Sequence, residues 1–261
     1  MPLSFSHAPL VAVLHLPALP GAPQHAGSME AIIERVKREA EIVAAAGFDA
    51  VLIENYGDIP FFANEVPSET IAAMAVCGDH ARRTSGITLG INVLRNDGRG
   101  ALSVAVACGA KFIRVNVLVG ARITDQGIVQ SDSAAILRAR KNLGALDIAI
   151  VADVDVKHSS PVGTMTVDGE AIDAMERGMA DALIVSGSRT GEEASRDSVL
   201  AVRHASKAPV WLGSGVKADT LSDWLAIAQG VIVGSDLRVD GKAGGPIDRD
   251  RAFAFTRARN G

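Results

Sequence analysis

Eight short apolar runs, each followed by residues at helical spacing, predict an α/β protein folded as a single (β/α)8 TIM barrel over residues 1–261. The connections from strand to helix are mostly long and polar, whereas those from helix to strand are short and marked by Gly47, Gly109, Gly144 and Gly178. That asymmetry is expected where one rim of a barrel carries function and the other only closes it. The run Ile148–His158, IAIVADVDVKH, is apolar on both faces at its start and charged on one face at its end. A barrel strand has this character when its carboxyl end reaches a working mouth. A doubly wound open sheet is the rival architecture. No linker or low-complexity tract divides the chain, so one domain is the simpler expectation.

The first strand runs from Leu10 to Leu14 and ends at His15, before a Pro- and Gly-rich loop that no helix continues through. Ser28 caps a helix on Ile32, Ile33, Val36, Ala40 and Val43 that stops at Gly47. Ala50 to Glu54 is the second strand, and a helix from Pro67 to Arg83 follows. Ile87 to Asn92 is the third, with Asp97 capping the next helix. Phe112 to Val117 is the fourth; after it LVGARITDQGIVQ reads as a long irregular loop, then a helix from Ser131 to about Leu143. The stretch from Ile148 is the fifth strand, followed by a helix centred on Ile172 and Met175. Ala182 to Ser186, Pro209 to Leu212 and Gly230 to Val233 are the last three strands. A helix through Val199 and Val202 follows the sixth strand, and one capped by Asp248 ends the chain.

Hydrophobic residues make up 48% of the chain and charged residues 21%, a composition suited to a compact core. A formal charge of -4 offers no basic field for a nucleic acid polymer, although a local pocket for a small anion remains open. No apolar run reaches a membrane span, and the amino terminus lacks the basic region of a signal peptide, so a cytoplasmic protein is expected. Cys77 and Cys108 lie in apolar helical patterns without metal-type spacing and read as small core residues. Trp211 and Trp224 read as packing residues; His7, His80 and His204 as surface or packing residues. Oligomeric state is not set by the sequence, and a homo-oligomer stays open.

Strand parity locates the candidate site. With Val51 and Ile53, Leu89 and Ile91, and Ile113, Val115 and Val117 facing the helices, Glu54, Asn92, Arg114 and Asn116 face the interior. The same alternation sends Asp153, Asp155 and Lys157 inward, with His15 and His158 nearby. Burying this many charges costs several kcal/mol per uncompensated ion, so they must pair with one another or hold a ligand. Pairing of Arg114 with Asp153 or Glu54 is the plain structural reading.

Gly213-Ser214-Gly215 and Gly234-Ser235 are small-residue turns coming straight off the last two strands. Glycines admit an anion close to backbone N–H groups, serines add hydroxyls, and this is a frequent phosphate position in α/β barrels. Gly187-Ser188, after the sixth strand, would line the same pocket or merely form a loop.

Three chemistries suit such a mouth. Lys157, if desolvated, could form a Schiff base with a carbonyl, whereas Asp153 and Asp155 beside it would keep it a charged, substrate-holding ammonium. Glu54, Asp153, Asp155 and His158 offer ligands for a divalent metal such as Mg2+ or Mn2+. Acid–base work by a carboxylate with His15 or His158 is compatible with either.

The segments LHLPALPG, IENYGDIPF, GINVLRND, FIRVNVLVGARITDQGI, ADVDVKH, LIVSGSRTG, LGSGV and VIVGSDLRVDG resemble, in order, the BtpA family, also called the BtpA/SgcQ family. INVLRND, RVNV with TDQG, and DVKH carry the resemblance; the GSG turns occur in many barrels. The resemblance implies a phosphate-binding TIM barrel. For function it implies two classes: a factor linked to accumulation of photosystem I, and enzymes of sugar metabolism. With the inward polar set, the leading expectation is an enzyme on a phosphorylated sugar or a ribosyl or nucleotide-like phosphate, of isomerase, lyase or hydrolase type. A photosystem I assembly factor without catalysis and a non-catalytic small-molecule binder are the alternatives.

Overall fold

The computed structural model describes residues 3–260. Eight parallel strands close into a barrel: β1 (Leu10–His15), β2 (Ala50–Glu54), β3 (Thr88–Asn92), β4 (Phe112–Val115), β7 (Ala149–Val154), β9 (Ala182–Val185), β10 (Val210–Leu212) and β11 (Val231–Val233). Around the ring the order is β1-β11-β10-β9-β7-β4-β3-β2, so the first and last strands pair, Leu10 opposite Val231, and no edge is left open. The predicted TIM barrel is thus the observed fold.

Helices α1 (Met29–Ala46), α2 (Ser68–Ser85), α3 (Gly98–Cys108), α4 (Ser133–Asn142), α5 (Val167–Glu176), α6 (Arg196–Ala205), α7 (Leu221–Leu225) and α8 (Arg249–Asn260) connect the strands or follow the last. Their starts and stops follow the local chemistry. The Ser28 side chain accepts from the Ala31 N–H at the head of α1, Asp97 does the same for Gly100 at α3, and Gly47 ends α1 in the left-handed region at φ 92°.

Strand alternation divides the core in two. Val51, Ile53, Leu89, Ile91, Ile113, Val115, Ile150, Ala152 and Val154 pack outward against the helices, with Cys77, Cys108 and Trp224 in the same layer. Val11, Val13, Ala50, Leu52, Phe112, Ala149, Val151, Ile184 and Trp211 fill the interior. Phe112 occupies the space left by Gly90, where a Cβ would lie 2.2 Å from its ring. Leu3 and Phe5 reach into this interior layer ahead of β1, the Phe5 ring meeting Trp211 edge-on at 6.2 Å.

The segment expected to be an irregular loop after β4 is instead an antiparallel hairpin, β5 (Ala121–Thr124) with β6 (Gly127–Gln130), joined by β8 (Ser159–Pro161). Asp125 and Gln126 form its two-residue turn, and Gly127 takes φ 94°. Such a short hairpin has too few residues for its alternation to stand out beside the turn residues. Among the described residues no helix is long and apolar enough to cross a membrane.

Candidate functional site

The carboxyl ends of the strands surround a cavity of about 520 Å3. Its wall includes His15 from β1, Glu54 from β2, Asn92 from β3, Arg114 and Asn116 from β4 and the residue after it, and Lys157 and His158 beyond β7. Gly213, Ser214 and Gly215 after β10 and Gly234 and Ser235 after β11 complete it. Parity therefore brought most of the expected residues to one place.

Arg114 is the centre of the floor. Its Nε and Nη2 donate to Asp153 Oδ2 and Oδ1 at 3.0 and 2.9 Å, and its Nη1 donates to Glu54 Oε1 at 3.1 Å. Burial works against its charge, but Asp153 and Glu54 outweigh it, and the guanidinium is held protonated with its pKa raised. Asn116 Nδ2 donates to Asp153 Oδ2 at 2.6 Å, while its Oδ1 accepts from Asn92 Nδ2 at 3.2 Å. Asn92 Oδ1 is buried and has no partner among the described residues.

Asp153 consequently lies under the floor, 2% exposed and saturated by Arg114 and Asn116, and it is not part of the cavity wall. Asp155 departs further from the expectation. Its backbone takes φ 52°, the alternation breaks where β7 ends, and its side chain, 55% exposed, turns outward to Arg122 in the hairpin. Arg122 also binds Glu170 at 2.9 Å, so this is a separate ion cluster.

The expected metal set is therefore not assembled: Glu54 and Asp153 share Arg114, Asp155 faces away, and His158 binds Thr190. Among the described residues no group of three or more His, Cys, Asp or Glu is arranged to hold a metal ion. Contrary to expectation, neither Asp153 nor Asp155 pairs with Lys157; they pair with Arg114 and Arg122. Burial, then Arg114, lowers the Lys157 pKa, opposed by Glu54 and Asp153 at longer range.

His15 is buried against Tyr56, ring centroids 4.3 Å apart. Its Nδ1 accepts from the Gly244 N–H at 3.1 Å, so a neutral ring carries its proton on Nε2, 3.9 Å from Glu54 Oε2. Burial, then Arg238, holds its pKa well below the usual value. His158 sits at the rim with φ 57°, its Nε2 3.0 Å from Thr190 Oγ1, and burial followed by Lys157 lowers its pKa.

At the two glycine turns, no hydrogen bond among the described residues takes up the N–H groups of Ser214, Gly215, Gly234 or Ser235. The Ser214 hydroxyl, however, is engaged: it accepts from the Gly187 N–H at 3.1 Å and donates to the Glu192 carbonyl at 3.0 Å. Gly187 and Ser188 are not in the cavity wall, because Gly187 packs on the Glu192 backbone and the Ser188 hydroxyl turns to the Glu192 carboxylate. Their role is to shape the loop.

Parity could not find Arg95, Tyr56, Asp125 or Lys217, which also line the cavity from loops. Arg95 is 5% exposed; its Nη2 donates to the Lys157 carbonyl at 2.6 Å and its Nε has no partner among the described residues. The only signal for it was its place in the polar segment NVLRND after the third strand.

The sequence pattern of the BtpA family matches residues 6–261. The photosystem I biogenesis protein BtpA of Synechocystis sp. is 41% identical over 97% of this chain and 88% of its own. An uncharacterized protein of Pyrococcus furiosus is 40% identical over 99% of this chain and 97% of its own. Among solved structures, thiamine phosphate pyrophosphorylase from Pyrococcus furiosus superposes with a TM-score of 0.57 at 15% identity, covering 97% of this chain and 95% of the other, a likeness of fold.

Proposed function

This chain belongs to the BtpA family, and from its site we propose an enzyme acting on a phosphorylated sugar or ribosyl-type phosphate at the carboxyl-end mouth of the barrel. The observation that carries this reading is a set of inward polar groups without partners among the described residues: the N–H groups of Ser214, Gly215, Gly234 and Ser235, Asn92 Oδ1 and the amine of Lys157, all around one cavity. Folding gains nothing from such groups, and a ligand that meets them removes the penalty of leaving them unpaired.

In this reading the phosphate lies against the N–H groups of Gly215, Gly234 and Ser235, with Lys217 adding charge from the rim. The reacting carbons lie over Glu54, His15 and Asn92. Glu54 keeps Oε2 free of Arg114 and can take a proton there, while the neutral His15 presents Nε2–H to an oxygen. Such a pair suits isomerisation or bond cleavage next to a carbonyl. Lys157 stands within the same cavity as a substrate-holding group or as an amine able to attack a carbonyl. A divalent ion such as Mg2+ or Mn2+ enters this proposal only in company with the ligand's phosphate, since the carboxylates form no cage of their own.

Thermal-shift screening against ribose 5-phosphate, other sugar phosphates and nucleotides, each with and without Mg2+ or Mn2+, tests it. A stabilised melting transition with a phosphorylated compound, diminished with Gly234→Ala, is expected. No shift with any phosphate would remove its basis. The second reading, a photosystem I biogenesis factor without catalysis, is favoured by the name of the 41% identical relative; a ligand that binds but is never turned over would support it.

A further inference from the structure

The phosphate reading leaves one part of the cavity unexplained. Arg95 follows β3 and Lys157 follows β7, and they meet above the end of β4 through the bond from Arg95 Nη2 to the Lys157 carbonyl. Neither side chain forms an ion pair among the described residues, and Arg95 Nε is buried without any partner. The carboxylates nearest in the floor, Glu54 and Asp153, are already held by Arg114.

An arginine cannot shed its charge, so a buried guanidinium without a carboxylate is a persistent cost to the empty protein. The barrel contains the means to avoid that cost, as Arg114 and Arg238 show: the fully buried Arg238 binds Glu39 at 2.9 Å and two backbone carbonyls. Arg95 differs from both: Arg114 lines the cavity but is held by Glu54 and Asp153, Arg238 does not line it, and Arg95 lines it with no ion pair among the described residues.

We propose that Arg95 and Lys157 form a second anion subsite that takes a carboxylate, so that the ligand is a phosphorylated carboxylic acid. This rests on the phosphate reading above and extends it. In the ring order β1-β11-β10-β9-β7-β4-β3-β2, the glycine turns follow β11 and β10, and β4 and β3 lie across the barrel from them. The two subsites thus stand at opposite sides of the mouth, with Glu54, His15 and Asn92 between them, and an extended ligand bridging them lays its middle carbons over those groups. A planar carboxylate matches the guanidinium fork. Asp125, at the hairpin tip on the same cavity wall, offsets part of the positive charge and suits one negative charge rather than two. The Lys157 ammonium, disfavoured by burial and by Arg114 in the empty protein, is stabilised once an anion lies beside it.

Calorimetric titration of the whole protein with 6-phosphogluconate, glucitol 6-phosphate, gluconate and glucitol 1,6-bisphosphate separates the possibilities. The first two differ only in a carboxylate against a hydroxymethyl group. Wild type is expected to bind 6-phosphogluconate at least on the order of tenfold more tightly than glucitol 6-phosphate. Arg95→Met should remove that preference and leave glucitol 6-phosphate binding in place; Arg95→Lys should retain part of it. Melting of each variant checks that it folds, and Lys157→Met supplies a second loss of preference should Arg95→Met not fold.

Equal binding of the first two compounds would overturn the carboxylate subsite and leave the phosphate reading standing. Gluconate binding without any phosphate dependence would do the reverse. Tighter binding of the bisphosphate than of 6-phosphogluconate would overturn the assignment to a carboxylate, and no binding of any probe would overturn both.

Discussion

Arg114 grips both oxygens of Asp153, with Nε to Oδ2 at 3.0 Å and Nη2 to Oδ1 at 2.9 Å, on the wall where β4 and β7 pair. Asp153, expected among the inward functional residues, is thereby the strut that aims Arg114 and Asn116. Asp153→Ala leaves a buried guanidinium with only Glu54 beside it, and should lower unfolding free energy by about 3–5 kcal/mol. Asp155→Ala removes a half-exposed carboxylate from the buried Arg122, which keeps Glu170 as its partner, and should cost less, on the order of 1 kcal/mol. Urea denaturation of the two variants measures the contrast; equal losses would contradict the placement of Asp155 outside the floor.

His15 sets a pH dependence. Its folded-state pKa lies well below the ordinary 6.5, chiefly through burial and then through Arg238. Between that depressed value and 6.5 the unfolded chain binds more protons than the folded one, so stability rises with pH and is lost as pH falls below about 6.5. His158 contributes in the same direction. His15→Gln should flatten the fall in stability on acidification, read by urea denaturation at several pH values. An unchanged slope would show that His15 titrates normally.

The two glycine turns should respond differently to a methyl group. A Cβ at Gly234 would lie 3.5 Å from His15 Cε1 and Nε2, an ordinary contact. Gly234→Ala should therefore alter stability by no more than about 0.5 kcal/mol while weakening phosphate-ester binding on the order of tenfold, by crowding the approach to the N–H groups. At Gly215 the backbone is left-handed at φ 76°, and a Cβ would lie 2.3 Å from the Glu192 carbonyl. Gly215→Ala should cost about 1–3 kcal/mol of stability before any ligand is added. Melting curves with and without a bound sugar phosphate distinguish the two.

Gly90 and Phe112 form a packing pair inside the barrel. Gly90→Ala places a methyl 2.2 Å from the Phe112 ring and should destabilise by about 1–3 kcal/mol. Phe112→Leu in the same chain should recover part of that loss. A double-mutant cycle by urea denaturation would show strict additivity if the two residues did not share the space.

The fold and the floor were legible because both follow from strand period. Alternation alone sent Glu54, Asn92 and Arg114 inward and Ile53, Ile91 and Ile113 outward, and the two core layers divide in that way. Legibility stopped where the strands stop. Asp155 sits one residue past β7, and a single left-handed φ reverses its direction. Arg95 points into the cavity from a loop whose course is set by contacts remote in sequence, such as its N–H to the Phe62 carbonyl at 3.1 Å. Ser188, whose turn left open lining the phosphate pocket or merely forming a loop, has its hydroxyl taken by a glutamate four residues on. Residue type announced the chemistry; side-chain direction beyond a strand depends on tertiary contacts that have no period.

Leu3 and Phe5, packed against the interior layer beneath Trp211, give the barrel a stoppered base. The cavity is therefore a blind well rather than a tunnel. On the proposed function, a product would have to leave through the opening by which the substrate entered, and while in place it would block the next arrival. The loops at the rim, including the hairpin that carries Asp125, would then govern departure as much as entry.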